Sequence, residues 1–166
     1  MQSKNSQDVT IGNPQERLHF YIGYLIGIID GEGAYQLSPD KKYFSPMITI
    51  NNTDEEIIRL TCEALTQLGL DHHVWYPKQY GKEYRQATRV YIRGIEHVKK
   101  ATDLILKYPS GKDERAKLLN EFCTYRLKKQ TPYSDIEIQF KEKLRQMNAK
   151  YKGAKSSETI RLTVNN

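Results

Sequence analysis

The sequence predicts an α+β domain in which helices alternate with two pairs of β-strands. Apolar residues recur at helical spacing in several separate segments, and they alternate with polar residues in others. A length of 166 residues suits a single domain. These patterns give the order α-β-β-α-β-β-α followed by further helices. We expect a flexible N-terminal segment over 1–15, one domain over 16–150 and a basic tail over 151–166.

The first helix is predicted to begin after Asn13-Pro14, because proline suits the first position of a helix. It should end near Gly31 to Gly33. Two strands, over 34–38 and 44–51, then flank a turn at 39–42. The apolar positions of the first helix are Leu18, Tyr21, Ile22, Leu25, Ile26 and Ile29.

A second helix is predicted to start within 52–56, where a capping residue precedes acidic residues, and to stop at Gly69. Strands over 72–76 and 88–93 follow it. Helices are then expected over 95–106, 113–127 and 134–147. The apolar stripe predicted for the second helix consists of Ile57, Leu60, Ala64, Leu65 and Leu68.

Composition and charge exclude several classes of protein. The 26 Lys and Arg against 20 Asp and Glu give a net charge of +6, which is consistent with a polyanionic partner. No apolar run approaches the ~20 residues that span a bilayer, and the first residues lack a signal-peptide core. We therefore expect an intracellular protein that is not secreted and has no membrane partner. Cys62 and Cys123 are too few for a disulfide framework and lack metal-site spacing.

Three glycines of the first helix share one face. Gly23, Gly27 and Gly31 recur every four residues, and each costs roughly 1 kcal/mol relative to alanine in a helix interior. Small residues at this spacing allow two helix backbones to approach closely. The helix therefore packs on a copy of itself, or on another element of the same chain.

Two acids stand at the C-terminal end of this helix. The macrodipole and the free carbonyls disfavour the negative charge of Asp30 and Glu32 there, so a cation nearby would be favourable. A carboxylate and a backbone carbonyl suit a hard divalent metal. If two helices pack through their glycines, two Glu32 side chains meet near a symmetry axis, which suits phosphodiester hydrolysis by two or more metals. The alternative for Glu32 is an exposed surface acid.

Residues 25–33, LIGIIDGEG, closely resemble the signature motif of the LAGLIDADG homing endonucleases. Eight of nine positions are identical or conservative, and Ile26 stands where the name has alanine. The predicted element order matches the core of that family over about residues 16–130. The resemblance implies an α+β fold of the αββαββα LAGLIDADG type, with a concave antiparallel DNA-binding sheet and additional C-terminal helices. A single motif implies the single-motif, homodimeric branch.

The resemblance further implies a site-specific homing endonuclease that hydrolyses phosphodiester bonds in both strands of a long pseudo-palindromic DNA site. Mg²⁺ is the implied cofactor, and Mn²⁺ or Ca²⁺ are other ions for the same site. The alternative is a non-cleaving nucleic-acid-binding protein on the same scaffold, either an intron-splicing maturase or a DNA-binding regulator. The intact Glu32 argues against it, so RNA is a less favoured partner than double-stranded DNA. A third hypothesis is a dimeric domain whose charge serves solubility alone.

Site residues follow from the resemblance position by position. Glu32 and the carbonyl of Gly31 would hold the metal, and Asp30 would be structural. Asn52 would position water, with helix capping as its alternative role. Lys112 would complete the solvent network, with an ordinary surface lysine as the alternative. The seam between subunits would comprise Gly23, Tyr24, Gly27 and Ile28.

Alternation along the four strands assigns one face to DNA, and a register slip of one residue would exchange the faces. The core-facing set is Leu37, Ile48, Ile50, Val74, Tyr76, Val90 and Ile92. The opposite face suits direct readout of bases and comprises Gln36, Ser38, Thr49, Asn51, His73, Trp75, Arg89, Tyr91 and Arg93. Basic residues between strands are predicted phosphate anchors: Lys41, Lys42, Lys78, Lys82 and Arg85.

Overall fold

The predicted α+β class and element order are confirmed by the structure, a computed structural model that describes residues 13–40, 43–77, 87–129 and 134–157. Within these ranges no helix is long and apolar enough to cross a membrane. The elements are α1 (Pro14–Glu32), β1 (Gly33–Asp40), β2 (Tyr43–Asn52), α2 (Glu55–Gln67), β3 (His73–Trp75), β4 (Thr88–Arg93), α3 (Ile95–Ile105), α4 (Asp113–Lys128) and α5 (Asp135–Ser157).

The strands form one antiparallel sheet in the order β1-β2-β4-β3. The central pairing places Ile48 opposite Ile92 and Ile50 opposite Val90. These four residues and Leu37 are buried, so the predicted core face is confirmed for them. Val74 is half-buried. The prediction for Tyr76 was wrong, because β3 ends at Trp75 and the side chain of Tyr76 is 70% exposed.

A capping box starts α1. The Asn13 side chain accepts hydrogen bonds from the amides of Gln15 and Glu16, and the Glu16 carboxylate accepts one from the Asn13 amide. The helix therefore begins at Pro14, two residues before the predicted domain boundary at 16. The remainder of the predicted flexible segment, 1–12, lies outside the described residues. The core contacts of α1 come from Tyr21, Ile22, Leu25, Ile26 and Ile29, whereas Leu18 is 44% exposed.

The apolar stripe of α2 lies one residue from its predicted position over the first two turns. Ile58 and Thr61 are buried, whereas the predicted Ile57 and Leu60 are only half-buried. The Thr61 hydroxyl donates to the Ile57 carbonyl at 2.7 Å. A threonine satisfied inside its own helix can occupy a core position, so apolar spacing alone misses it.

The last helix is longer than predicted and covers one edge of the sheet. It runs to Ser157, so residues 151–157 continue the helix that was expected to end near 147. The Asn148 side-chain amide donates to the Tyr35 carbonyl of edge strand β1 at 3.1 Å. A buried ion pair of 3.0 Å between Arg126 and Glu137 joins α4 to α5. The spacing of apolar residues did not predict this continuation, because α5 is stabilised by tertiary contacts with β1 and α4.

The helices α1 and α2 are joined by tyrosine hydroxyl groups. Tyr21 donates to the Glu63 carboxylate at 2.5 Å. The Tyr24 hydroxyl donates to the Ile57 carbonyl at 3.1 Å and lies 3.2 Å from the Thr61 hydroxyl. These contacts hold α1 against α2.

Tyr21→Phe is expected to lower the free energy of unfolding by about 1 kcal/mol at neutral pH, and no more because the Glu63 side chain is 37% exposed. The hydrogen bond from Tyr21 holds the pKa of Glu63 below its ordinary value. Its contribution is therefore complete above about pH 4.3 and is lost as the pH falls through the folded-state pKa. Urea unfolding should show a smaller difference between variant and wild type at about pH 3 than at neutral pH. An undiminished difference at low pH contradicts this role for Glu63.

Candidate metal centre and nucleic-acid interface

The helix α1 passes directly into β1 without a loop, because the first residue of β1 is Gly33. The Gly33 amide donates to the Ile29 carbonyl and closes the helix. A Cβ added at Gly33 would lie 2.5 Å from the carbonyl oxygen of Ile29 and 2.7 Å from its Cα. No larger residue fits without displacing backbone. Glu32, the last residue of the helix, is exposed at this junction.

The Asp30 carboxylate is held by the loop that precedes α4. The Ser110 hydroxyl donates to one carboxylate oxygen at 2.6 Å, and the Gly111 amide donates to the other at 2.8 Å. Both acceptor atoms of Asp30 thus bind within the chain. Glu32 is the acid that remains directed to solvent at the end of α1.

Lys112 is buried under the same end of α1. Its side-chain ammonium donates to the Ile29 carbonyl at 2.8 Å and to the Gly33 carbonyl at 2.6 Å. Only 6% of the residue is exposed. The alternative reading of Lys112 as a surface lysine was therefore wrong, and a positive charge lies beneath the segment that carries Glu32.

Asn52 ends β2 on the side of the sheet where α1 finishes. Gly33 pairs with Ile50, so β2 continues past the start of β1 towards the level of Glu32. The Asn52 side chain accepts a hydrogen bond from the Asp54 amide at 2.8 Å. The cap of α2 is Asp54, whose carboxylate accepts from the amides of Glu56 and Ile57. Asn52 therefore shapes the turn before the helix rather than capping it.

The donor chemistry at this end of α1 suits a hard divalent cation, but one chain offers few ligands. Glu32 is an exposed carboxylate beside a helix end whose last carbonyls lack helical partners. Among the described residues, no three His, Cys, Asp or Glu side chains gather where they could hold a metal ion. Further oxygen ligands would have to come from water, from a phosphate or from a second copy of the chain.

The glycine face of α1, formed by Gly23, Gly27 and Gly31, is exposed. A Cβ added at any of the three would meet nothing within 4 Å. Packing of this face on another described element of the same chain is therefore excluded. Phe20, which is 42% exposed, extends the face by one turn. Of the two residues predicted to flank it, Tyr24 bonds to α2, and Ile28 is half-buried against the core.

The strand register brings the predicted DNA-facing residues onto one face of the sheet. The strand pairing fixes this arrangement. Tyr91 lies opposite Thr49 and His73, Arg89 lies opposite Asn51 and Trp75, and Met47 lies opposite Gln36 and Arg93. Ser38 pairs with Ser45 on the same face. The sequence prediction omitted Ser45 and Met47, although the alternation that selects Thr49 and Asn51 also selects them.

Arg89 is the centre of a small cluster on this face. Its Nε donates to the Asn51 side-chain oxygen at 2.9 Å, and its guanidinium lies 5.7 Å from the Trp75 ring centroid. Trp75 is 48% exposed. Thr49 differs from its neighbours, because it is only 2% exposed and its buried hydroxyl has no hydrogen-bond partner among the described residues. The exposed part of this face is therefore polar and aromatic, and Thr49 is its buried member.

Two further predictions concern the basic residues of the sheet. Arg93 lies 3.8 Å from the Asp40 carboxylate across the face, an exposed and weak ion pair. The predicted phosphate anchors Lys41, Lys42, Lys78, Lys82 and Arg85 lie outside the described residues.

No protein-family model matches the chain, and no curated protein matches it in sequence. Several solved structures match the fold of the chain. An archaeal intron-encoded homing endonuclease, I-Vdi141I, complexed with DNA, matches with a TM-score of 0.53 and 15% identity over 85% of this chain and 86% of its own. The homing endonuclease I-CvuI with the I-CreI target DNA, uncleaved in the presence of Mg, matches with a TM-score of 0.50 and 16% identity over 65% of this chain and 68% of its own.

A second I-CvuI complex, with its own target DNA in the presence of Ca, gives the same scores and coverage. The chain therefore has the fold of the LAGLIDADG homing endonucleases. The resemblance of residues 25–33 to the motif of that family implied this fold. These three solved structures are homing endonucleases in complex with DNA.

Proposed function

We propose that this protein is a site-specific DNA endonuclease that acts as a homodimer and uses Mg²⁺ to cut both strands of a long pseudo-palindromic site. The observation that carries the proposal is the end of α1, where an exposed Glu32 adjoins a glycine face that meets nothing within the described chain. On this proposal the protein works inside the cell, where its DNA lies.

Glu32 and the carbonyl of Gly31 would hold the cation, with Mn²⁺ or Ca²⁺ able to replace Mg²⁺. The ion would supply Lewis-acid stabilisation of phosphate charge and a more acidic bound water. Asn52, at the end of β2 on the same side of the sheet, would orient water near the scissile phosphate. Lys112 would add a fixed positive charge beneath the site.

The small number of available acids supports the proposed homodimer. Both oxygens of the Asp30 carboxylate accept hydrogen bonds within the chain, which leaves Glu32 as the acid available at this end of α1. Cutting both strands requires a site for each strand. Two chains that meet through Gly23 and Gly27, with Tyr24 and Ile28 at the margins, would bring two copies of Glu32 close to one axis.

The polar face of the sheet would read the DNA bases. Arg89 can bond two guanine acceptors, and Asn51 or Gln36 can bond two adenine groups. Trp75, His73, Tyr91, Ser38 and Arg93 would contact the same stretch of the major groove, and the basic residues between strands would contact phosphates. Thr49 belongs to the same face by register but is too deeply buried to contact a base.

The decisive experiment is cleavage selection from a randomised duplex library with Mg²⁺. The proposal expects recovered sites with two related half-sites, because a homodimer reads the same bases twice. Failure to cut any library member, by protein that binds DNA in a salt-dependent manner, would leave the non-cleaving alternative. A subsequent competition between intron RNA and duplex DNA would then separate a splicing factor from a DNA-binding regulator.

A further inference from the structure

We propose that Lys112 is a positioning residue for the metal centre, which acts on Glu32 and the Gly31 carbonyl through the backbone carbonyls on either side of them. This inference rests on the proposed function, because it concerns the cation at the end of α1. It differs from a role in contacting solvent or phosphate, since the contacts of the ammonium are made inside the protein.

The ammonium bridges the end of the helix and the start of the strand. It donates to the carbonyls of Ile29, in the last turn of α1, and Gly33, the first residue of β1. Asp30, Gly31 and Glu32 are the residues between these two points. One side chain thus fixes both ends of the segment that bears the carboxylate and the carbonyl ligand.

The loop that carries Lys112 holds the same segment a second time. Ser110 and Gly111 donate to the Asp30 carboxylate at 2.6 and 2.8 Å, and the Lys112 amide donates to the Ser110 hydroxyl at 3.1 Å. Residues 110–112 therefore bind the end of α1 through backbone and side-chain groups together. A segment held at both ends and at Asp30 has little freedom to change the direction of its carbonyl groups.

Charge and geometry predict opposite effects when this ammonium is removed. A positive charge near a bound cation repels it, so its loss should tighten cation binding if charge alone matters. If the ammonium orients the ligands, its loss should weaken binding, because groups that orient metal ligands typically contribute about 10- to 100-fold in affinity. The direction of the change in Kd therefore distinguishes the two roles.

Lys112→Met keeps the length of the side chain and removes its charge and donors. With a cleavage-resistant target duplex present, we expect its Kd for Mn²⁺, measured by electron paramagnetic resonance, to rise at least about tenfold. Lys112→Arg should not restore affinity, because a planar guanidinium cannot reproduce the contacts of an ammonium. Thr102→Val is the matched control: it removes a buried hydroxyl that bonds to the Val98 carbonyl, far along the chain from α1, and should leave the Kd unchanged.

Nuclear magnetic resonance of ¹⁵N-lysine-labelled wild type tests the same point without a substitution. Saturation with Ca²⁺ in the DNA complex should shift the Lys112 Nζ signal, and Glu32→Gln should prevent that shift. An unmoved signal, or a Kd for Lys112→Met that is unchanged or lower, overturns the positioning role while the proposed function stands. If the wild type binds no Mn²⁺ with DNA present, the proposed function and this inference both fail.

Discussion

Glu32→Gln is expected to reduce the single-turnover rate of DNA cleavage by at least about a thousandfold, since removing one ligand charge forfeits several kcal/mol of metal-dependent stabilisation. DNA affinity should change little. Glu32 lies at the junction of α1 and β1 and is not one of the strand residues that form the polar face. Glutamine keeps the size of the side chain and a hydrogen-bonding oxygen, so the variant isolates the effect of charge.

The rate and the affinity require separate measurements on the same duplex. Cleavage is measured with protein in excess over the duplex, in samples quenched at successive times. Affinity is measured by fluorescence anisotropy with Ca²⁺ in place of Mg²⁺. Glu121→Gln, at an exposed position of α4, is the control for loss of one negative charge. It should cut at the wild-type rate. Cleavage by Glu32→Gln at a comparable rate would move the metal centre to another part of the protein.

Where local chemistry decided an element, the sequence predicted it closely. The strand over 88–93 has the predicted bounds, because alternating residues lead to Gly94, whose φ of 95° suits glycine. The start of α1 was also predicted from local chemistry, because proline suits the first position of a helix. The errors fall where tertiary contacts decide. Thr61 lies at a core position against α1, where its hydroxyl is 3.2 Å from that of Tyr24, and the length of α5 depends on contacts with β1 and α4.

The candidate site divides in the same way. Glycine spacing and an acid at the end of a helix are local features, so Glu32 and the glycine face were accessible from the sequence. The environment of Lys112 was not. Its carbonyl partners are 83 and 79 residues away in the sequence, and a lysine is rarely buried unless it is paired. Ser110 and Gly111 were missed as well, because their partner Asp30 is 80 and 81 residues away in the sequence.

Gly27→Leu is expected to convert a dimer into a monomer that still folds. Gly27 is exposed and a Cβ added there would meet nothing within 4 Å in the described chain, so the core of the subunit should be unaffected. On the proposed seam, two leucines would separate helices that must otherwise approach closely. Sedimentation velocity with and without DNA measures the change, and double-strand cleavage should fall with it. Gln139→Leu, which adds an exposed leucine on α5, should remain dimeric.

A smaller substitution gives the sharper result, because its two effects have opposite signs. In an isolated subunit, Gly27→Ala should raise the free energy of unfolding by about 1 kcal/mol, since alanine favours a helix and space is available. In a dimer built on this face, the same methyl should weaken association. Gly33→Ala should instead destabilise the subunit by about 1–3 kcal/mol, because its Cβ would lie 2.5 Å from the Ile29 carbonyl. If Gly27→Ala stabilised the protein and left its self-association unchanged, the glycine face would not be the seam, and each Glu32 would have to act without a second copy beside it.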